Sequence, residues 1–145
     1  MKINKILIVE DQEATLESLE NAVDIVMPRF DADYKPSHKE IAKCYSSAMQ
    51  KITNSSYDLI LLDHRMPIQE VGNLERTNFD LFSAQLVNIG YSLIPIIQQK
   101  LPKAIIIGTS SLSRNELREF ISPRYSMSKM WGKAKIDLEK VLKSL

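Results

Sequence analysis

The sequence predicts an α/β fold, a doubly wound sandwich in which five strand–helix units build a parallel sheet. Three observations predict it. Short apolar runs, Ile6-Leu7-Ile8-Val9, Leu59-Ile60-Leu61-Leu62 and Ala104-Ile105-Ile106-Ile107, are too brief for independent helices and too uniformly apolar for strands with one wet face. Stretches of helical period separate them. The two kinds of segment alternate, and right-handed crossovers then place helices on both faces of the sheet.

The elements are taken in chain order. After the first run, Leu16, Leu19, Val23 and Val26 fall on one helical face. A weaker strand is expected near residues 31–35. Ser37 with Glu40 three residues on reads as a capping box, opening a helix whose apolar face is Ile41, Tyr45, Ala48 and Ile52. The second run comes next. Residues 68–76 read as loop. Thr77 with Asp80 is expected to cap a helix carrying Phe82, Leu86, Ile89 and Leu93 on one face, and Pro95 to kink or interrupt the chain beyond it. After the third run, Ser113 and Glu116 repeat the capping signal before Leu117 and Phe120. A weak fifth strand is expected near residues 124–128, and Leu138, Val141, Leu142 and Leu145 mark a last helix. No internal repeat, low-complexity tract or linker interrupts the pattern, so residues 1–145 read as a single domain.

Composition narrows the function. The formal net charge is +1 and there is no basic block, so nothing in it favours nucleic acid or a membrane surface. No segment reads as a signal peptide or membrane span, and a cytoplasmic location is the default expectation. The single cysteine, Cys44, excludes an internal disulfide and a Cys-rich zinc site; it is expected as a buried small residue in a helical pattern.

In an open parallel sheet, ligands bind outside the carboxyl ends of the strands. Glu10 and Asp11 follow the first run, Asp63 the second, Gly108, Thr109 and Ser110 the third, and Lys129 the weak fifth strand. Three carboxylates, one or two hydroxyls and an ammonium therefore converge on one rim. Packed carboxylates repel unless a cation or proton neutralises them, and Mg²⁺ suits one or two carboxylates with water and phosphate oxygens. A carboxylate can also accept a phosphoryl group, with cation, hydroxyl and ammonium neutralising the phosphoryl oxygens.

These residues resemble the receiver domain of two-component response regulators. Ile6-Leu7-Ile8-Val9-Glu10-Asp11 is similar to that family's first strand and acidic pair. Tyr57-Asp58-Leu59-Ile60-Leu61-Leu62-Asp63-His64-Arg65-Met66-Pro67 resembles its phosphoacceptor strand and the Met-Pro after it. Ile105-Ile106-Ile107-Gly108-Thr109-Ser110 resembles the fourth strand with its switch hydroxyl, and Ser128-Lys129 the fifth strand's lysine. The resemblance implies a flavodoxin-like strand order 2-1-3-4-5. It implies phosphorylation of Asp63, and Mg²⁺ held by Glu10, Asp11, Asp63 and a backbone carbonyl at Arg65. It implies that Thr109 bonds the phosphoryl group and that Lys129 pairs with it. The implied donor is a sensor histidine kinase or phosphotransfer protein, and the implied output is a changed grip on a downstream protein. A signalling phosphoacceptor of this kind is not a turnover enzyme.

The chain departs from the family in three places. Met130 and Trp131 follow the lysine where proline is usual, so a trans bond and a shifted loop are expected. Ser126 holds the place of the usual switch aromatic, and Tyr125, one residue off, recovers the role only through a bulge. Residues 68–89 are extra, and Gly90-Tyr91-Ser92-Leu93-Ile94 resembles the usual start of the third helix. The extra segment is either a surface elaboration or a lid or partner surface; its Phe79, Leu81, Phe82, Leu86, Val87 and Ile89 favour docking at the active-site rim, with Arg65 paired to Glu70 or Glu75. His64 is read as solvent-facing or packing, His38 as exposed at a helix start, and Trp131 as packed at the base of the last helix. Two other classes compete. A haloacid-dehalogenase-type phosphatase needs an acid where Arg65 stands, and a pseudo-receiver that only binds partners predicts a broken site.

Overall fold

The computed structural model describes residues 2–145. Its main sheet has five parallel strands: β1 (Ile6–Val9), β2 (Lys39–Ala42), β3 (Leu59–Leu62), β6 (Ile105–Gly108) and β7 (Tyr125–Ser126), in the order β2-β1-β3-β6-β7. The intervening β4 (Arg65–Pro67) and β5 (Leu86–Asn88) form a separate antiparallel pair. With that pair set aside, the main order is 2-1-3-4-5, as expected from the sequence. Register aligns the carboxyl ends: Val9 lies beside both Ala42 and Leu62, Leu62 beside Gly108, and Gly108 beside Ser126.

The uniformly apolar runs are explained by a core on each face. Ile6, Ile8, Leu59, Leu61 and Ile107 pack against α1 (Glu13–Val26) and α7 (Lys133–Ser144) through Leu19, Val23, Leu138 and Val141. Leu7, Val9, Ile60 and Leu62 point the other way, onto Ala48 and Ile52 of α2 (Tyr45–Asn54) and onto Leu93, Ile94 and Ile97 at α5 (Ile94–Lys100). A fully buried aliphatic side chain of this kind contributes about 1.5–3 kcal/mol, so these central strands anchor the rim chemistry. No helix among the described residues is long and apolar enough to cross a membrane.

Several elements differ from the sequence expectation. The second strand is Lys39–Ala42, not residues 31–35; there Asp31 organises a turn, its carboxylate accepting from the Ile3 and Asp33 amides. Ser37 and Glu40 do not cap a helix. Residues 36–38 make one 3-10 turn, and Glu40 lies in β2, where it takes the Tyr57 hydroxyl and the Lys5 and Lys51 ammoniums. Helix α2 starts at Tyr45, capped by the Cys44 thiol, which accepts from the Ser47 amide at 3.4 Å. Cys44 is buried as expected, but as a cap rather than inside the helix. His38 ends the 3-10 turn, half-buried, edge-on to Tyr34.

Residues 68–89 are folded. They contain the single turn α3 (Leu74–Thr77), where loop was expected, and α4 (Phe79–Ala84), capped by Asn78 rather than Thr77. The apolar period that suggests a helix through Ile89 breaks at Gln85, and Leu86–Asn88 return as strand β5. Pro95 lies in the first turn of α5, where a missing amide costs nothing, so it starts the helix instead of kinking it. The capping box of Ser113 and Glu116 opens α6 (Arg114–Leu117) as expected. The Lys129–Met130 bond is trans. Trp131 does not pack at the base of α7; it is 62% exposed.

Candidate functional site

The aligned strand ends bring the expected residues together. Glu10 and Asp11 leave β1, Asp63 leaves β3, and Thr109 leaves β6, and all four are buried. Lys129 reaches in from the loop after β7 and donates to Glu10 Oε1 and Asp63 Oδ2, both at 3.0 Å. The second oxygens are also held. Asp63 Oδ1 accepts from the His64 amide at 2.8 Å, and Glu10 Oε2 from the Asp11 and Gln12 amides. One oxygen each of Glu10, Asp11 and Asp63 lies within 4.8 Å of the others.

Charge does not balance here, because three carboxylates face one ammonium. Burial, and then the charge of Glu10, push the Asp11 carboxyl well above the usual range. Burial and Glu10 also raise Asp63, against the opposing pull of Lys129. Burial works against the Lys129 ammonium, but Glu10 and Asp63 outweigh it and hold its pKa up. Asp11 Oδ2 and Thr109 Oγ1 are buried without any hydrogen-bond partner. Such orphaned groups are costly unless a ligand completes them. An all-oxygen donor set, short of positive charge and with a free carboxylate oxygen, fits a hard divalent cation such as Mg²⁺.

Arg65, the expected source of a backbone carbonyl, begins β4 on the wall of a groove of about 630 Å³ that Asp63, Lys129, Ser110 and Trp131 also line. Its side chain makes no ion pair with Glu70 or Glu75. Those acids are turned elsewhere, because Glu75 accepts from the Glu13 amide at 3.1 Å and Glu70 lies beside the Cys44 thiol. The 68–89 segment does reach the rim by another route. Ile68 O accepts from the Ser46 amide, Arg76 grips the Glu13 carboxylate at 2.7 Å, and Phe82 is buried beneath, whereas Phe79, Leu81 and Val87, expected to dock with it, are exposed. Between segment and rim remains a second cavity of about 240 Å³, lined by Asp11, Lys43, Glu70, Arg76 and Phe82.

Two residues matter more than sequence reasoning assigns. His64 is a packing residue, fully buried, its ring 4.7 Å from Tyr91 and 4.3 Å from Phe120. Burial lowers its pKa, which favours the neutral ring, and Nδ1 accepts from the Tyr91 amide at 2.9 Å. The sequence places Tyr91 only at a helix start, yet its hydroxyl accepts from the Ser110 amide at 3.3 Å. No signal in the sequence around His64, which stands between Asp63 and Arg65, points to this arrangement. Tyr125 does not recover the switch position: it packs on the α1–α7 core, across the sheet from Tyr91, and Ser126 is exposed.

No family model matches the chain, and no curated protein matches it in sequence. Solved structures do. A receiver-domain protein of the chemotaxis-regulator type from Methanospirillum hungatei is 20% identical, with a TM-score of 0.64, over 99% of this chain and 94% of its own. A response regulator from Thermotoga maritima, solved with Mg²⁺ and beryllium fluoride, is 21% identical with a TM-score of 0.59, over 98% and 99%. The receiver domain of a signal-transduction histidine kinase from Syntrophus aciditrophicus is 20% identical with a TM-score of 0.63, over 97% and 88%. With its strand order and its acidic rim at the carboxyl ends of the sheet, the chain has the fold of a response-regulator receiver domain.

Proposed function

We propose that this protein is a phosphoacceptor of a two-component relay. It takes a phosphoryl group from a phosphohistidine of a sensor kinase or phosphotransfer protein onto Asp63, and its grip on a downstream protein then changes. The observation that carries this reading is the convergence of Glu10, Asp11, Asp63 and Thr109 around Lys129, whose ammonium bridges Glu10 and Asp63 at 3.0 Å.

An Asp63 oxygen attacks phosphorus, the phosphorus–nitrogen bond of the donor breaks, and a mixed carboxylic–phosphoric anhydride remains on Asp63. Lys129 is placed to follow charge from the carboxylate to the phosphoryl oxygens. The Thr109 hydroxyl, buried without a partner, is free to donate to one of them. Glu10, Asp11 and Asp63, with the Arg65 carbonyl, would hold Mg²⁺, which supplies charge neutralisation for the transferring group. The reading carries with it a cytoplasmic location, a signalling role in place of enzymatic turnover, and no nucleic-acid partner. A pseudo-receiver is disfavoured by the complete set of rim groups. A dehalogenase-type phosphatase is disfavoured because Arg65 stands where its acid would be.

Intact-mass measurement after incubation with a small acyl phosphate and Mg²⁺ tests the reading. The parent protein should gain one phosphoryl group and Asp63→Asn none. Equal uptake by the variant sinks the assignment.

A further inference from the structure

The 68–89 segment ends on the phosphoacceptor itself. The Ile89 and Gly90 amides both donate to His64 O, at 3.0 and 2.8 Å, and the Tyr91 amide donates to the His64 ring. Gly90 is pressed so close that an added Cβ would lie 2.0 Å from Asp63 O. From this fixed backbone the Tyr91 ring crosses to β6. Its hydroxyl sits over Gly108, 2.5 Å from where a Cβ there would be, and ends on the Ser110 amide. One residue therefore spans the acid-bearing strand end and the loop that carries Thr109.

We infer that Tyr91 is the positioning residue that couples the site to the 68–89 segment, its hydroxyl holding the Ser110 N–H at rest and releasing it when a phosphoryl group arrives. The inference rests on Asp63 being the phosphoacceptor. The Tyr91–Ser110 bond is neutral and long, at 3.3 Å, so it is easily exchanged. Ser110 lines the same groove as Asp63 and Lys129. A phosphoryl group there adds anionic acceptors, and charge-assisted bonds are about twice as strong as neutral ones. Two other aromatics are unsuited to the part. Tyr125 faces the opposite core, and Phe120 touches His64 but has no polar tip. What Tyr91 gives up is felt next by β5, which ends only three residues earlier and pairs with β4, next to His64.

The test uses beryllofluoride with Mg²⁺ as a phosphoryl mimic, read by fluorescence of the single tryptophan, Trp131, on the groove wall. Hydrogen exchange of residues 86–91 is measured in parallel. In the parent, beryllofluoride should speed exchange at 86–91. In Tyr91→Phe those amides should already exchange faster at rest and respond no further, and beryllofluoride should bind roughly fivefold tighter, the worth of one neutral hydrogen bond. Exchange in β1 and β3 should match the parent, which a general loss of stability would not allow. Parent-like or weaker binding by Tyr91→Phe, or an unchanged response at 86–91, overturns the coupling alone. A parent that ignores beryllofluoride as Asp63→Asn does overturns the phosphoacceptor reading with it.

Discussion

Replacing Gly90 by alanine should be one of the more damaging single-methyl additions in the molecule. The added carbon would stand 2.0 Å from Asp63 O, while ordinary contact begins near 3.4 Å, so the chain must retreat by about 1.4 Å. The Met66 methyl, at 2.6 Å, can swing aside, but the Asp63 carbonyl belongs to the backbone at the end of a central strand. Retreat of Gly90 lengthens the three bonds that end on His64, two of them 2.8 and 2.9 Å long, past the hydrogen-bond limit. At about 1 kcal/mol each, the loss is about 3 kcal/mol. With a urea dependence of about 2 kcal/mol per molar, the unfolding midpoint should fall by about 1.5 M. Gly132→Ala is the comparison, because Gly132 has a φ of 80° but nothing within 4 Å of an added carbon. Its cost should be backbone strain alone, about 1–3 kcal/mol, because its φ of 80° is paired with a ψ of −40°, outside the left-handed helical well. Urea titrations monitored by circular dichroism decide the matter. If Gly90→Ala shifts the midpoint by less than about 0.5 M, the segment's end is not wedged against Asp63.

The rim and the segment above it lead to two further outcomes. Asp11→Asn should stabilise the metal-free protein at pH 8 by about 1–3 kcal/mol, roughly 3–9 °C of melting temperature. The Asp11 carboxyl is raised in the folded state, so its penalty is full above the folded pKa and absent below the unfolded value near 4. The gain should therefore fade on acidification, and Mg²⁺ should raise the melting temperature of the parent more than that of the variant; thermal melts at pH 4, 6 and 8 check both, and a variant less stable at pH 8 refutes the charge argument. Replacing residues 68–89 with a three-residue turn should leave the five-stranded sheet folded, because β4 and β5 form a sheet of their own, and should change the lifetime of the phosphorylated state or the binding of a partner. Unchanged lifetime and binding would reduce the segment to decoration.

Legibility in the sequence tracks burial. The strands Ile6–Val9, Leu59–Leu62 and Ile105–Gly108 lie inside, with a core on each face, and an apolar run records that directly. Lys39–Ala42 is an edge strand with one neighbour, and its Lys39 and Glu40 serve ion pairs, so its composition is that of a helix start. The start of α2 is hidden because a thiol caps it, which no composition rule favours. The charged rim is legible because each residue directly follows a strand, and parallel register does the rest. The role of Tyr91 is not legible. Its hydroxyl meets Ser110, 19 residues on, only after the segment has folded back as β5, and strand pairing of that kind leaves little trace in a three-residue stretch.

Asp11 borders both cavities, the groove that exposes Asp63 and the smaller chamber beneath Arg76 and Phe82. The rim thus has two doors. The wider opens on Asp63, the acid proposed to react, and is flanked by the exposed Met130 and Trp131. The narrower reaches Asp11 alone of the three rim carboxylates. On the proposed reading, a donor seated at the first door would leave the second unblocked, so metal traffic and donor traffic need not queue for the same entrance.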